Sequence, residues 1–534
     1  MNPELEGASG VHLARRGSRR RLRIIDPAYP AFNVYSSIAR ITTALGPVCI
    51  GTAASEMPGW DVEIIDENNY RGVGPRTRNG LPDHDTLQAI RYADVVGLYG
   101  GLSSTIPRLH AVARFYKAYG IPVIAGGQHF VGDNIRAALE NGVEVIVLGE
   151  GEETTKELLA AIQAGTGFGD VAGIAYLKNG AVEYTAPRAP LEDLDRLPTP
   201  NFDLVRYAKI QIYPVGWVRG CGMDCEFCTV KGRPRGASPE RVLEQIATAL
   251  ERHGGRNFFI VDDLFGQARK DTLRLCRLLA KYQNAVNTRL NLAVQIRLDR
   301  GNDTELLTAM RSAGVNTVAI GFESPIEEEL VAMSKRTRPD DMLAMTRKYH
   351  KAGFMVHGMF IFGYPSAGAE AFAMPAAERV RRFRRFIRMA RLDTVQVLLP
   401  VPLPGTQLTE RLAKQGRIFP LDCMGWEYYD GNFPLFEPDT PMNPLEMQTS
   451  VRKIMGRFYR FRHMFLIAVN ILMFPAMVFS LFNLRYGWRK WYRFWRNDLL
   501  RFGGWIIIRR WTAQITKGDF RAKLDAARAR IARG

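Results

Sequence analysis

The sequence predicts an α/β chain of two wound units in series, an N-terminal doubly wound (Rossmann-like) parallel sheet and then a partial (β/α)6 barrel, followed by a basic, aromatic helical segment. Three observations carry this expectation. Short β-rich runs alternate with amphipathic stretches over residues 22–165; the loop R-G-C-G-M-D-C-E-F-C-T-V (219–230) then brings three cysteines close together; beyond it the alternation resumes with longer helices. Such alternation builds parallel sheets, because a parallel strand pair needs a long crossover, usually a helix, to return the chain.

At 534 residues the chain is too long for one core, and with 46% hydrophobic residues it can bury several. Six cysteines, three clustered and Cys49, Cys276 and Cys423 scattered, make no disulfide framework and point to a reducing cytosol. The net charge of +18 is concentrated: residues 441–534 hold 19 Lys and Arg against four acids. The rest is close to neutral, which excludes an enzyme coated for nucleic acid and predicts one specialised basic module. Arg15, Arg16, Arg19, Arg20, Arg21 and Arg23 precede no apolar run of signal-peptide length, so residues 1–20 are expected to be a flexible basic tail.

In the first unit, strands are expected at 22–27, 61–66, 94–99, 121–127 and 143–149, with helices at 46–56, 107–119, 133–141 and 153–164. Ligands of such sheets sit at the carboxyl ends of the strands. There the chain places Ser103, Ser104 and Thr105 after the third strand, Gly126 and Gly127 after the fourth, and Gly149 and Gly151 after the fifth, small residues that let backbone approach a large ligand. These turns alone would suit a nucleotide as readily as any other ligand. Asn179-Gly180 between two alternating runs predicts a hairpin, and the proline-rich stretch after it a linker, so residues 166–209 are expected to join the units.

Cys221, Cys225 and Cys228 lie in one turn-sized loop after an apolar strand, a soft-metal arrangement. Zinc would need a fourth ligand that no nearby Cys or His supplies; an iron-sulfur cluster held by three thiolates keeps one iron open. Beyond the loop, strands are expected at 257–261, 291–296, 317–322, 355–361 and 394–399, which with the strand before the cysteines makes six. Their carboxyl ends, where a barrel carries its active site, bear Asp262 and Asp263, Gln295 and Arg297, Glu323 and Ser324, and Gly363 and Pro365. The two aspartates could touch a ligand or cap the next helix. Pro404, Gly405 and Thr406 are expected to turn the chain over the mouth, with or without a chemical role.

The spacing C-x3-C-x2-C resembles that of the radical S-adenosylmethionine (radical SAM) enzymes, and the likeness extends over residues 210–430. It implies a 4Fe-4S cluster on Cys221, Cys225 and Cys228 whose open iron chelates SAM. It also implies that Arg297, Glu323 and Ser324 contact SAM, for which a carboxylate and a hydroxyl are apt hydrogen-bond partners. Upstream, D-P-A-Y-P, A-G-G-Q-H-F and L-G-E-G-E-E stand after the first, fourth and fifth strands. That order resembles the cobalamin-binding domain of cobalamin-dependent radical SAM enzymes, over residues 21–165. The motif D-x-H-x-x-G is missing, and His129 stands outside such a context; the resemblance therefore implies cobalamin with no histidine on cobalt.

The whole is similar to hopanoid methylases and to the anaerobic magnesium-protoporphyrin ester cyclase. The resemblance implies methylation of an unactivated carbon, with two SAM spent per methyl, or an oxidative ring closure, and an electron donor such as flavodoxin or ferredoxin. A membrane-associated metal-binding or electron-transfer protein is the reading from another class.

Residues 431–534 complete the chain. M-F-L-I-A-V-N-I-L-M-F-P-A-M-V-F-S-L-F (464–482) has no charge and can just span a bilayer, but a proline interrupts it. Trp488, Trp491, Tyr492 and Trp495 then alternate with Arg485, Arg489, Lys490, Arg493 and Arg496, a pattern suited to an anionic headgroup layer. The expectation is a C-terminal helical membrane-associating segment lying on the cytoplasmic face, Trp505 to Ile508 dipping alongside, with a hydrophobic, lipid-like substrate. A spanning helix or a buried lid are the alternatives.

Overall fold

The computed structural model describes residues 19–335, 337–366, 373–472, 484–516 and 518–533, without the side chains of Asp263, 470–472, 484–495 and 514. The first unit is an eight-stranded sheet made of β1 (Arg20–Asp26), β2 (Trp60–Asp66), β3 (Val95–Tyr99), β4 (Val123–Gly126), β5 (Val145–Val147), β6 (Ile174–Lys178), β7 (Ala181–Tyr184) and β8 (Val205–Arg206). Their order is β7-β6-β5-β4-β3-β1-β2-β8. β1 to β5 and β8 pair in parallel, as both faces of the sheet are covered and the strands are almost wholly buried.

Three expectations change here. The basic tail falls mostly outside the described residues, but its last residue, Arg20, already opens β1; Arg23, within the expected strand, is fully buried with its Nε 2.8 Å from Glu63 on β2. The hairpin forms around Asn179-Gly180, both at positive φ, with Lys178 opposite Ala181. It is no mere connector, since β6 runs antiparallel along β5 and extends the sheet. Part of the expected linker likewise pairs with β2 as β8.

The second unit contains β9 (Tyr213–Val215), a two-strand ribbon of β10 (Val218–Arg219) and β11 (Arg235–Gly236) around the cysteine loop, and then β12 (Asn257–Phe265), β13 (Asn291–Ile296), β14 (Val315–Glu323), β15 (Met355–Ile361) and β16 (Thr394–Leu398). The order β16-β15-β14-β13-β12-β9 is sequential and every pairing is parallel, the winding of an incomplete barrel. Alternate residues of β14, β15 and β16 are fully buried beneath the helices, while the residues between them face inward and stay half-buried.

After the barrel, the helix Pro444–Phe458 opens on a capping box of Asn443 and Glu446. The helix Arg462–Leu472 follows, and a 32-residue helix, Leu484–Ile515, runs back over the barrel. Among the described residues no helix is long and apolar enough to cross a membrane. Much of the predicted apolar run lies outside the described residues, as do the side chains of the aromatic and basic residues 485–495. Trp505 to Ile508, expected to dip alongside at the membrane, packs inward instead: Trp505 stacks on Phe502 and meets Phe461, and Ile508 and Trp511 are buried against the barrel. Gly504 makes this approach possible, because a Cβ there would come within 2.3 Å of the Tyr459 ring. Tyr459 in turn clips the edge of β16, its hydroxyl accepting from Val395 N–H and donating to Val395 O.

Candidate functional site

The carboxyl ends of the two sheets face each other, and the cysteine loop lies between them. After β1, Phe32 stacks on Tyr428, and Tyr35 Oη accepts from Gln396 Nε2 of β16 at 2.7 Å. After β4, Gln128 Oε1 accepts from Thr229 beside the cysteines at 3.1 Å, and His129 stands edge-on to Trp426. After β5, Glu150 pairs with Arg235 at 2.6 Å and with Arg219 at 3.3 Å, while Glu152 pairs with Arg219 at 2.5 Å. Glu150 and Glu152 went unremarked in the sequence, where L-G-E-G-E-E drew attention only to its glycines. The available signal was Arg219, two residues before Cys221.

Cys221 is buried and Cys225 and Cys228 are half-buried, and none of the three is in a disulfide. The loop is pinned from three directions. Gln267 Nε2 donates to Cys221 O at 2.8 Å, and its Oε1 is buried without a hydrogen-bond partner. Asp262 Oδ1 accepts from the N–H groups of Trp217 and Val218 at 2.9 Å each. Glu226, between the second and third cysteines, receives Arg411 Nε at 2.5 Å, Arg411 Nη2 at 2.9 Å and Tyr364 Oη at 2.6 Å. This last cluster ties the loop to F-G-Y-P and to the helix after L-P-G-T, so both stretches position the loop. Asp262 caps nothing: the following helix starts after Ala268, with no side-chain cap. Asp263 is among the side chains not described.

Three charged side chains gather beside the loop. Arg297 Nη1 lies 3.5 Å from Met223 Sδ, and its other edge is held by Asp299 at 2.9 and 3.1 Å. Glu323 adopts φ 59°, costly for a residue with a Cβ, and meets Lys335 Nζ at 3.0 Å. Burial pulls the Lys335 ammonium down, but Glu323 and the Cys225 sulfur outweigh it and hold it above its ordinary range. Lys335 was missed because it sits in a loop with no sequence signal. Ser324, expected beside Glu323 in the site, is instead fully buried; its hydroxyl donates to Glu329, which is paired with the buried Arg379.

In the first unit Ser103, Ser104 and Thr105 form a buried 3-10 turn. Ser103 is bonded to His129 Nδ1 at 3.0 Å, and Thr105 Oγ1 donates to Leu102 O. Their hydroxyls shape the loop. Gly127 has φ 134° and its Cβ would fall 2.5 Å from Gly100 C, whereas a Cβ on Gly149 would meet nothing within 4 Å, so open space lies beside the β5 loop. Gly126 and Gly151 back onto Val147. His129 is buried, and desolvation, with a smaller contribution from His110, pushes its pKa down to about 4. Buried carboxyls also collect at this end: Asp26 and Asp66 are register neighbours on β1 and β2, and burial raises Asp66 to about 6 and Asp26 well above its usual range.

A cavity of about 160 Å³ runs along the inner side of β15 and β16 to the C-terminal helices. Tyr35, His357, Gln396 and Asn432 give it a polar side; Met455 and Trp511 are among its apolar lining. Burial lowers the pKa of His357, against a hydrogen bond to Gln396 that raises it. Nearby Asp430 is pushed by burial up to about 7, and its Oδ2 has no hydrogen-bond partner.

The residues present fit a cluster and a large cofactor. Three cysteines outside any disulfide share one pinned loop with an orphaned amide oxygen beside it, and space opens next to Gly149. Among the described residues no group of three His, Cys, Asp or Glu side chains is arranged to hold a single metal ion.

Comparison with known proteins agrees with this geometry. The model of the radical SAM superfamily matches residues 216–373. An uncharacterized methyltransferase of Pyrococcus horikoshii is 27% identical over 348 residues, covering 63% of this chain and 72% of its own. The anaerobic magnesium-protoporphyrin IX monomethyl ester cyclase of Rubrivivax gelatinosus is 25% identical (60% and 56%), and the hopanoid C-2 methylase of Rhodopseudomonas palustris 24% (67% and 62%). The solved structure of OxsB, a cobalamin-dependent S-adenosylmethionine radical enzyme with aqua-cobalamin and S-adenosylmethionine bound, superposes with TM-score 0.63 at 14% identity, over 95% of this chain and 81% of that one.

Proposed function

We propose that this chain, whose residues 216–373 match the radical SAM superfamily and whose two-unit fold is shared with a cobalamin-dependent radical enzyme, is a cobalamin-dependent radical SAM enzyme that methylates an unactivated carbon of an apolar, lipid-like substrate. The observation that carries this is the opposition of the two carboxyl ends across the cysteine loop. Methyl transfer needs a methyl carrier and a radical source brought to one substrate carbon, and the loops after β1, β4 and β5 close on the barrel at that place.

In this reading Cys221, Cys225 and Cys228 hold a 4Fe-4S cluster, and the space beside Gly149 takes a corrin. Bound there, the cluster supplies one-electron reduction of SAM and the cobalamin a methyl carrier. The chain's own residues do the positioning. Arg297 and Glu323 offer a cation and an anion to the carboxylate and ammonium of SAM, and Lys335 pairs with Glu323 beside them. Glu226, Arg411 and Tyr364 hold the loop rigid. His129, neutral and covered by Trp426, is not a cobalt ligand. The apolar side of the cavity toward Met455 and Trp511 excludes water, while His357 and Asn432 present polar atoms to a bound substrate.

The basic C-terminal region supports a protein held peripherally at the cytoplasmic face of a membrane, where such a substrate resides and a flavodoxin or ferredoxin can reach the cluster. The cyclase relative, as similar as the methylase, favours oxidative ring closure as the second reading. Anaerobic reconstitution with iron, sulfide, cobalamin and SAM against membrane lipid extracts tests the pair by mass spectrometry. A product heavier by one CH2 supports methylation. Loss of hydrogens with ring closure supports the second reading, and absence of SAM cleavage refutes both.

A further inference from the structure

Away from the cysteine loop, a cleft of about 1330 Å³ opens between the helices Ala376–Met389, Pro444–Phe458, Arg462–Leu472 and Leu484–Ile515. Among the described residues nine arginines line it, including Arg384, Arg388, Arg457, Arg460, Arg462 and Arg501, and no Asp or Glu does. Nearby acids are already engaged: Asp393 with His350 and Asn497, Asp498 with His463, and Glu378 with Arg381 and Arg382 at the rim. Arg384, Arg388, Arg457 and Arg462 have no carboxylate within ion-pair distance among the described residues. Burial, together with the charges of Arg457, Arg462 and Arg384, holds Arg460 below its ordinary pKa. Cations crowded against one another without counter-charges cost folding energy, which an anion entering the cleft offsets.

The exposed apolar residues next to the lining arginines in the chain identify the anion's source. Phe461 (50% exposed), Met464 (42%) and Phe465 (67%) flank Arg460 and Arg462 in the sequence, and Leu499 (47%) lies close before Arg501. Large exposed apolar side chains next to cleft arginines match a bilayer interface, where headgroup phosphates and acyl chains lie a few ångströms apart. A soluble phosphate or a nucleic acid would leave those side chains in water.

We infer that this cleft binds the phosphate headgroups of anionic lipids and seats the Phe461–Phe465 edge in the bilayer. The inference rests on the peripheral membrane association proposed above, and it assigns that role to described arginines rather than to the 485–496 stretch. It is independent of methyl transfer.

The test uses the full chain and co-sedimentation with phosphatidylcholine vesicles, with or without phosphatidylglycerol. The wild type is expected to bind only the anionic vesicles, and less at high salt. The triple variant R384Q/R388Q/R457Q should lose on the order of 100-fold in partition, about fivefold or more per cation. Because these arginines repel one another and lack partners, its melting temperature should not fall. Phe465→Ser should weaken binding without any charge change, and Arg528→Gln, whose partner Glu437 lies outside the cleft, should not. If the wild type binds and the triple variant binds equally, the cleft is not the site, although membrane association stands. If the wild type ignores anionic vesicles, both ideas fall. Release by millimolar inorganic phosphate would assign the cleft to a soluble ligand, and preferential capture of single-stranded RNA over vesicles would assign it to nucleic acid; either overturns the inference.

Discussion

The ring of His129, at the carboxyl end of β4, stands edge-on to that of Trp426 beyond the barrel, with centroids 4.6 Å apart. One side of the imidazole is bonded to Ser103, and burial keeps it neutral with a pKa near 4. The histidine is thus part of the contact between the units. His129→Ala should leave the spectrum of bound cobalamin unchanged, and a clear spectral shift would make it a cobalt ligand after all. Its folded pKa of about 4 lies below the unfolded value, so the unfolded chain binds more protons between about pH 4 and 6.5. Stability should therefore rise with pH across that window, and His129→Gln should flatten the melting-temperature profile there.

Asp430 has the opposite sign. Its folded pKa is raised to about 7 by burial, so the folded chain retains the proton that the unfolded chain releases above about pH 4. Its contribution should decline as pH rises from about 4 to 7. Asp430→Asn should remove that decline in a pH series of thermal melts, and a profile that keeps its slope would mean the group is solvated.

Cys221→Ala, Cys225→Ala and Cys228→Ala should each abolish the brown absorbance of the reconstituted protein and cleavage of SAM. Cys49→Ala, Cys276→Ala and Cys423→Ala should leave both intact; iron lost from one of these would expose a misassigned ligand.

Glu226→Ala should strand the half-buried guanidinium of Arg411 and the hydroxyl of Tyr364. Breaking a buried pair costs about 3–5 kcal/mol, and the lower end is expected because Arg411 keeps 18% side-chain exposure. Denaturant unfolding measures that loss, and iron content after reconstitution should fall with all three cysteines present. Full iron occupancy would show that the loop does not depend on this clasp.

The legible parts of the molecule were those encoded locally. Strand runs such as Met355–Ile361, the Asn179-Gly180 turn and the spacing of the three cysteines are short-range patterns, and the structure has each strand and the turn where the sequence implied. Partners brought together from distant positions were not legible. Glu226 meets residues 138 and 185 positions away, so nothing near it distinguishes it from a surface glutamate. Ser324 shows the converse, since a motif position beside Glu323 says nothing of which side the serine faces, and its hydroxyl turns to Glu329. In the C-terminal region the mixture of arginine and aromatic rings reads as interfacial throughout. Only packing separates Ile508 and Trp511, buried on the barrel, from the exposed Phe465.

The most direct test of the central claim, that two opposed cofactor sites serve one methyl transfer, is the ratio of products released from SAM during anaerobic turnover with a membrane lipid extract. The account predicts S-adenosylhomocysteine and 5'-deoxyadenosine in equal amounts, each matching the methylated product. Formation of 5'-deoxyadenosine without S-adenosylhomocysteine, alongside a product that has lost hydrogen and gained no methyl, would contradict it.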